Sequence, residues 1–265
     1  MSVVMLRRAA ADLRRTTLWY ALGLALYGML IVLYFPTVRD NGEQLNEYLA
    51  SFPEALRAAF GIEDITSFAG FLGAEFLNLI WPLIVGTFVV MTGAGLVAQE
   101  IERGTVEFWL SVPETRARLL VGKLGAFFSA GAVLVLVTLL TLEIGGAIVG
   151  ESIAPRALLA TGVVLLGYSV AVGGYAALFS ALSNDRGRAA GLAAALTLGF
   201  YLLWVLSSLS ERWDWLRYLT IFTAFDPQGA LGSGVVPAGV VSLFAIGIGA
   251  SIAALVVFQR RDVIR

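Results

Sequence analysis

Six stretches of almost unbroken apolar residues alternate with short polar ones along this chain. By length they predict membrane-crossing helices at about 17–35, 71–98, 124–149, 156–182, 189–208 and 237–258. About 20 apolar residues, each rising 1.5 Å, span a ~30 Å hydrocarbon core. Pro36 closes the first run, and Pro82 is expected to bend the second in its outer third. The polar stretches carry patterns of their own. In residues 1–16, Arg7, Arg8, Arg14 and Arg15 interleave with Val3, Val4, Leu6 and Leu13. This reads either as a helix lying on the membrane surface or as a basic flank of the first span. A cleaved signal is not expected, because the apolar run that follows is long and no small-residue cleavage site closes it. In residues 37–70, Leu45, Leu49, Phe52, Leu56 and Phe60 recur at helical spacing around Pro53, which predicts two short interfacial pieces. Residues 209–236 mix charges with Trp213, Trp215, Tyr218 and Phe222, a composition suited to headgroup depth.

Composition sharpens this picture. The chain is 58% hydrophobic and 14% charged, against about 25% charged in an ordinary soluble domain. It has no cysteine and no histidine. Thiolate nucleophiles, iron–sulfur ligation, Ser-His-Asp triads and HExxH zinc sites are therefore excluded. The net charge of −1 gives no case for a nucleic-acid partner. Of 18 Lys and Arg, four fall in 1–16, four in 99–123, two in 183–188 and three in 259–265, leaving five for the other side. With six spans, that asymmetry predicts both termini in the cytoplasm.

Small residues align at Gly187, Gly191, Ala195 and Gly199 on the fifth span, and at Gly146 and Gly150 on the third. Such ridges let helix backbones approach. Packing inside the bundle is the first reading, with a dimer interface as the second. Glu75 and Glu143 interrupt apolar runs, and intramembrane carboxylates are functional candidates by default. Their depth places them toward the outer interface. With Asn78, one turn from Glu75, they form a candidate outer gate.

The densest charge lies in residues 99–123, QEIERGTVEFWLSVPETRARLLVGK. The chain's only lysine, Lys123, follows Gly122, but Ala117 and Leu124 stand where a P-loop needs glycine and a hydroxyl residue, so ATP is not hydrolysed here. Thr105 can cap a short helix with Glu107 in its first turn, Pro113 ends it, and Thr115 starts the next helix. Phe108, Trp109 and Leu110 form an apolar ridge. It can plug into a partner's groove or anchor at the inner membrane surface.

The run Glu102, Arg103, Gly104, Thr105, Val106, Glu107, then Leu110 to Pro113, Arg116 and Gly122-Lys123 resembles the ER-x-GT-x-E loop of ABC-2 type permeases. Trp109 stands where leucine is common. The resemblance covers the layout of the whole chain, though only the loop is motif-specific. It implies an all-α integral membrane domain over 1–265 with six transmembrane helices. The loop would be the coupling helix, contacted by two copies of a separate ABC ATPase. ATPase-coupling residues would be Glu102, Gly104, Thr105, Glu107, Phe108, Trp109, Leu110 and Pro113, with Arg116 and Lys123 holding the loop against its own acids or lipid phosphates. A second permease chain is implied, pairing as a homodimer. The chain itself would be no enzyme and hold no cofactor or metal, with ATP and magnesium on the partner. The expected function is export across the cytoplasmic membrane, and an apolar translocation face would suit an amphiphilic or drug-like molecule. The readings from other classes are a passive channel or ion-coupled carrier, which needs polar residues at mid-membrane, and a non-transporting membrane scaffold.

Overall fold

The computed structural model describes residues 2–42, 65–105 and 115–261, with side chains from residue 13 onward. All regular structure among these residues is helical, and six of the helical stretches are long and apolar enough to cross a membrane. The predicted interfacial pieces around Pro53 lie outside the described residues.

Helix α1 (Ser2–Asp40) is continuous. Residues 2–16 therefore extend the first span and do not form a separate surface helix. Pro36 does not end it, because only the last turn follows and few hydrogen bonds remain to be lost there. The second span is built in pieces: α2 (Phe68–Leu72), a π-helical turn (Gly73–Leu77) and α3 (Ile80–Gly93). The chain breaks at Asn78 and Leu79, and Pro82 sits in the first turn of α3. Its missing N–H costs nothing there, since first-turn donors have no intrahelical acceptor. The predicted bend is thus a break just before the proline.

A short helix, α4 (Ala98–Glu102), follows. The third span is α5 (Arg116–Val149). Thr115 caps it by accepting from the Arg118 N–H, and Gly150 ends it at φ +77°, a conformation glycine adopts without penalty. Helix α6 (Pro155–Leu182) begins with proline at its first position. Helix α7 (Arg186–Leu209) is capped by Asp185, whose carboxylate accepts from the Arg188 N–H at 2.6 Å. Two 3₁₀ segments (Glu211–Leu219 and Ile221–Thr223), α8 (Pro227–Ser233) and α9 (Val240–Arg260) complete the chain.

Helix α6 is the central post, packed by α3, α7, α8 and α9. Its glycines and alanines leave room for this. A Cβ on Gly174 would lie 2.2 Å from the Gly247 carbonyl oxygen of α9. Helix α1 runs along α5. The segment before α9 packs partly into the bundle. Phe222 and Phe225 are buried against Tyr168 and Phe225 stacks on Trp81, while Trp213, Trp215 and Tyr218 stay exposed.

The small-residue ridge on α7 does not pack inside the bundle. Gly191 and Gly199 face open space, Gly187 meets only Asp185, and among the described residues α7 buries just Ala189, Ala190 and Ala193. Gly146, by contrast, lets Phe68 and the Glu151 carbonyl approach α5.

Candidate functional site

The stretches that share most of the basic residues meet at one end of the bundle. Leu13 and Thr16 of α1, Gln99, Glu100 and Arg103 near α4, Lys123 of α5 and Arg186 of α7 line one polar cavity of about 430 Å³. Arg261 joins the same end by donating to the Ala181 (2.6 Å) and Ser183 (3.0 Å) carbonyls and to the Asn184 side chain. The opposite end holds the Arg39–Glu151 ion pair at 3.2 Å and the Asn78–Gln228 hydrogen bond at 2.8 Å. The predicted even number of crossings is thus realised in space.

At the basic end α4 is a stub fixed on three sides. Its start is held by Ser180 of α6, whose fully buried hydroxyl accepts from the Val97 (2.9 Å) and Ala98 (3.0 Å) N–H groups and donates to the Ala94 carbonyl (2.7 Å). A helix start has unsatisfied donors, and here a side chain from another span satisfies them. Its end is closed by Gly104 at φ +68°. The Gly104 N–H donates to the Ile101 carbonyl and the Thr105 N–H to the Glu100 carbonyl, the paired bonds of a Schellman turn. The Gly-Thr pair of the motif is therefore a helix terminator. Thr105 turns its hydroxyl back to the Glu100 carboxylate, so it serves the preceding helix; the helix it was expected to cap lies outside the described residues, as do Glu107, Phe108, Trp109, Leu110 and Pro113.

The third hold is electrostatic. Lys123 donates to Glu100 at 2.9 Å and to the Leu96 carbonyl at 3.1 Å. Burial by itself would raise the Glu100 carboxyl, but the hydrogen bonds from Lys123 and Thr105 outweigh it and hold the group below the ordinary carboxylate range. Lys123 thus holds the loop against one of its own acids, as expected. Its stabilisation is present above the ordinary carboxylate pKa and is lost as pH falls through the lowered one. Lys123→Met alone should lower the melting temperature more than Lys123→Met with Glu100→Gln, because a lone partly buried carboxylate is worse than none. We expect a coupling of roughly 1–2 kcal/mol, between the exposed-pair and buried-pair regimes, measured by a double-mutant cycle on the purified protein.

Arg116 takes a different partner from the one expected. It donates to the Arg261 carbonyl at 2.6 Å, which ties the start of α5 to the end of α9. Glu102 accepts from the Arg186 N–H at 3.0 Å, linking α4 to the start of α7. No sequence signal marks Ser180 or Arg261, since both act through partners about 80 residues away.

A second cavity opens between α3 and α7. Its volume is about 670 Å³, and its walls include Leu79, Leu83, Val90, Leu198, Tyr201 and Phe222. Three of the hydroxyls on its walls are already engaged: Thr87 with Leu83 O, Thr197 with Ala193 O and Tyr168 with Pro82 O. Gly86 makes the last possible, since a Cβ there would meet the Tyr168 hydroxyl at 2.8 Å. The groove presents almost purely apolar surface.

The candidate outer gate is not one cluster. Asn78 donates to Gln228 of α8 at 2.8 Å and not to Glu75. The Glu75 side chain is exposed, and its backbone carbonyl accepts from Tyr27. Glu143 is exposed on α5. Among the described residues no three acids, histidines or cysteines gather as a metal site would require.

No curated protein matches the chain. Residues 11–263 match the family described as ABC-2 family transporter protein. That match spans nearly the full sequence and all six membrane-crossing helices, so the chain belongs to the ABC-2 family of membrane transporters.

Proposed function

We propose that this chain is the permease subunit of an ATP-driven exporter in the cytoplasmic membrane, with both termini inside. It works as a homodimer with two copies of a separate ATPase, which supply ATP and magnesium. The observation that carries this is the mounting of α4. A loop bearing the Glu102 to Glu107 motif departs from a stub locked to α6 by Ser180, to α5 by Lys123 and to α7 by Glu102. A push on residues 106–114 would then reach three spans at once. The substrate is an amphiphilic or drug-like molecule, because the α3–α7 groove offers apolar contact and little free polarity. That same lining speaks against a channel or ion-coupled carrier, which needs polar groups at mid-membrane. The bare ridge of Gly191 and Gly199 supports pairing with a second copy.

The test is co-purification with the ATPase and substrate-stimulated ATP hydrolysis. Gly104→Pro cannot adopt φ +68° and removes the N–H that donates to Ile101. Glu107→Arg reverses a charge in the motif. Each should lower coupled hydrolysis at least ~10-fold, the scale of losing about 1.4 kcal/mol of docking energy. Wild-type coupling in both variants would refute the docking role of this loop.

A further inference from the structure

The polar cavity at the basic end has a charge that the coupling role does not use. Lys123 is matched by Glu100, and Glu102 accepts from the Arg186 backbone. Arg103 and Arg186 also line the cavity; the exposed Arg103 acts on Glu100 only at a distance, and neither arginine has a carboxylate within ion-pair distance among the described residues. Arg186 donates once, to the Met91 carbonyl at 3.1 Å, and its Nε is buried without a hydrogen bond. The guanidinium keeps spare donors beyond that one bond, and the group that matches them best is an oxyanion with several acceptor oxygens.

The cavity's surroundings narrow the kind of anion. Its other wall is apolar, with Leu13, Phe88 and Leu96. Met91 lines both this cavity and the α3–α7 groove, so the two adjoin. A polar chamber with two arginines outside any ion pair, beside an apolar groove along the spans, matches a molecule with an anionic head and an acyl tail.

We propose that this cavity binds the phosphate of an anionic phospholipid, with its acyl chain running from Met91 into the groove between α3 and α7. Arg186 and Arg103 hold the phosphate, and Gln99 faces it from α4. The inference rests on the reading that the basic end lies at a membrane surface. It needs no ATPase, so failure of the coupling reading leaves its readouts intact.

Native mass spectrometry of the full chain in detergent tests it, with phosphatidylglycerol, phosphatidylcholine and inorganic phosphate as probes. Phosphatidylglycerol should be retained about tenfold over phosphatidylcholine, the scale of one charge-assisted hydrogen bond. Arg103→Gln with Arg186→Gln should erase that preference. Met91→Trp, which fills the junction of the two cavities and replaces one uncharged side chain by another, should weaken retention of both lipids. Arg212→Gln, in the exposed segment after α7, should change nothing. Equal retention of the two lipids, or a preference that survives the double variant, overturns the proposal. So does full displacement of the lipid by millimolar inorganic phosphate, which would make this a free-anion site.

Discussion

Gly174→Val is expected to prevent α6 and α9 from packing and to leave little folded protein. An added Cβ at position 174 would stand 2.2 Å from the Gly247 carbonyl oxygen and 2.6 Å from its Cα. The reverse holds as well, since a Cβ on Gly247 would lie 2.2 Å from the Val170 carbonyl oxygen. Both obstacles are backbone, so no rotamer change relieves them. Overpacking a core costs roughly 1–3 kcal/mol where side chains can shift, and here the two helices must separate along their length. We expect a loss of at least ~3 kcal/mol, read as a collapse of the monodisperse peak on size exclusion and a lowered melting temperature. Gly191→Ala should leave the melting temperature of the single chain unchanged, because nothing lies within 4 Å of the added atom. A wild-type melting temperature for Gly174→Val would mean that the α6–α9 contact is wrongly placed.

Ser180→Ala should be the most damaging single-atom change at the basic end. It strips the Val97 and Ala98 N–H groups of their acceptor and the Ala94 carbonyl of a donor, at a fully buried position. Each stranded donor costs roughly 1–3 kcal/mol, less whatever water regains access to the turn. The consequence is also functional, because α4 loses its tie to α6. Hydrogen exchange at residues 97 and 98 should speed up, and ATP hydrolysis coupled to the chain should fall although no residue of the motif has been touched. Unchanged exchange at these two amides would count against the role assigned to Ser180. Ser180→Ala with intact exchange but lost coupling would point instead to a direct contact.

How much of this was readable in advance follows from the range of each force. Thr115 starts its helix and the third span stops at Val149 where the sequence predicts, because a cap acts within three or four residues, whereas α7 starts at Arg186, three residues before the expected 189, on the Asp185 cap. Pro82 marks a distortion of the second span, although the break precedes it. The sequence pattern places a helix start at Thr105, whereas its hydroxyl serves the helix before. A threonine next to a left-handed glycine can turn either way, and the deciding partner, Glu100, is itself held by Lys123 from α5. The glycine ridge on α7 was read first as internal packing. The internal close approach falls instead between Gly174 of α6 and Gly247 of α9.

By itself, then, the sequence determined that this is a bundle of six membrane-crossing helices with an amphipathic, charge-rich loop after the second. Hydrocarbon admits only long apolar helices with satisfied backbones, so length and polarity suffice to find them. The tertiary structure alone decided which buried donors meet which acceptors. Ser180 finds α4, Arg261 finds the α6–α7 turn, and Arg186 keeps an unpaired Nε beside a polar cavity. Inside a membrane nearly every surface is apolar, so hydrophobic pattern does not choose between helix neighbours. Close backbone approach and a few long-range hydrogen bonds make that choice, and small-residue spacing shows where a helix can approach but not which neighbour it meets.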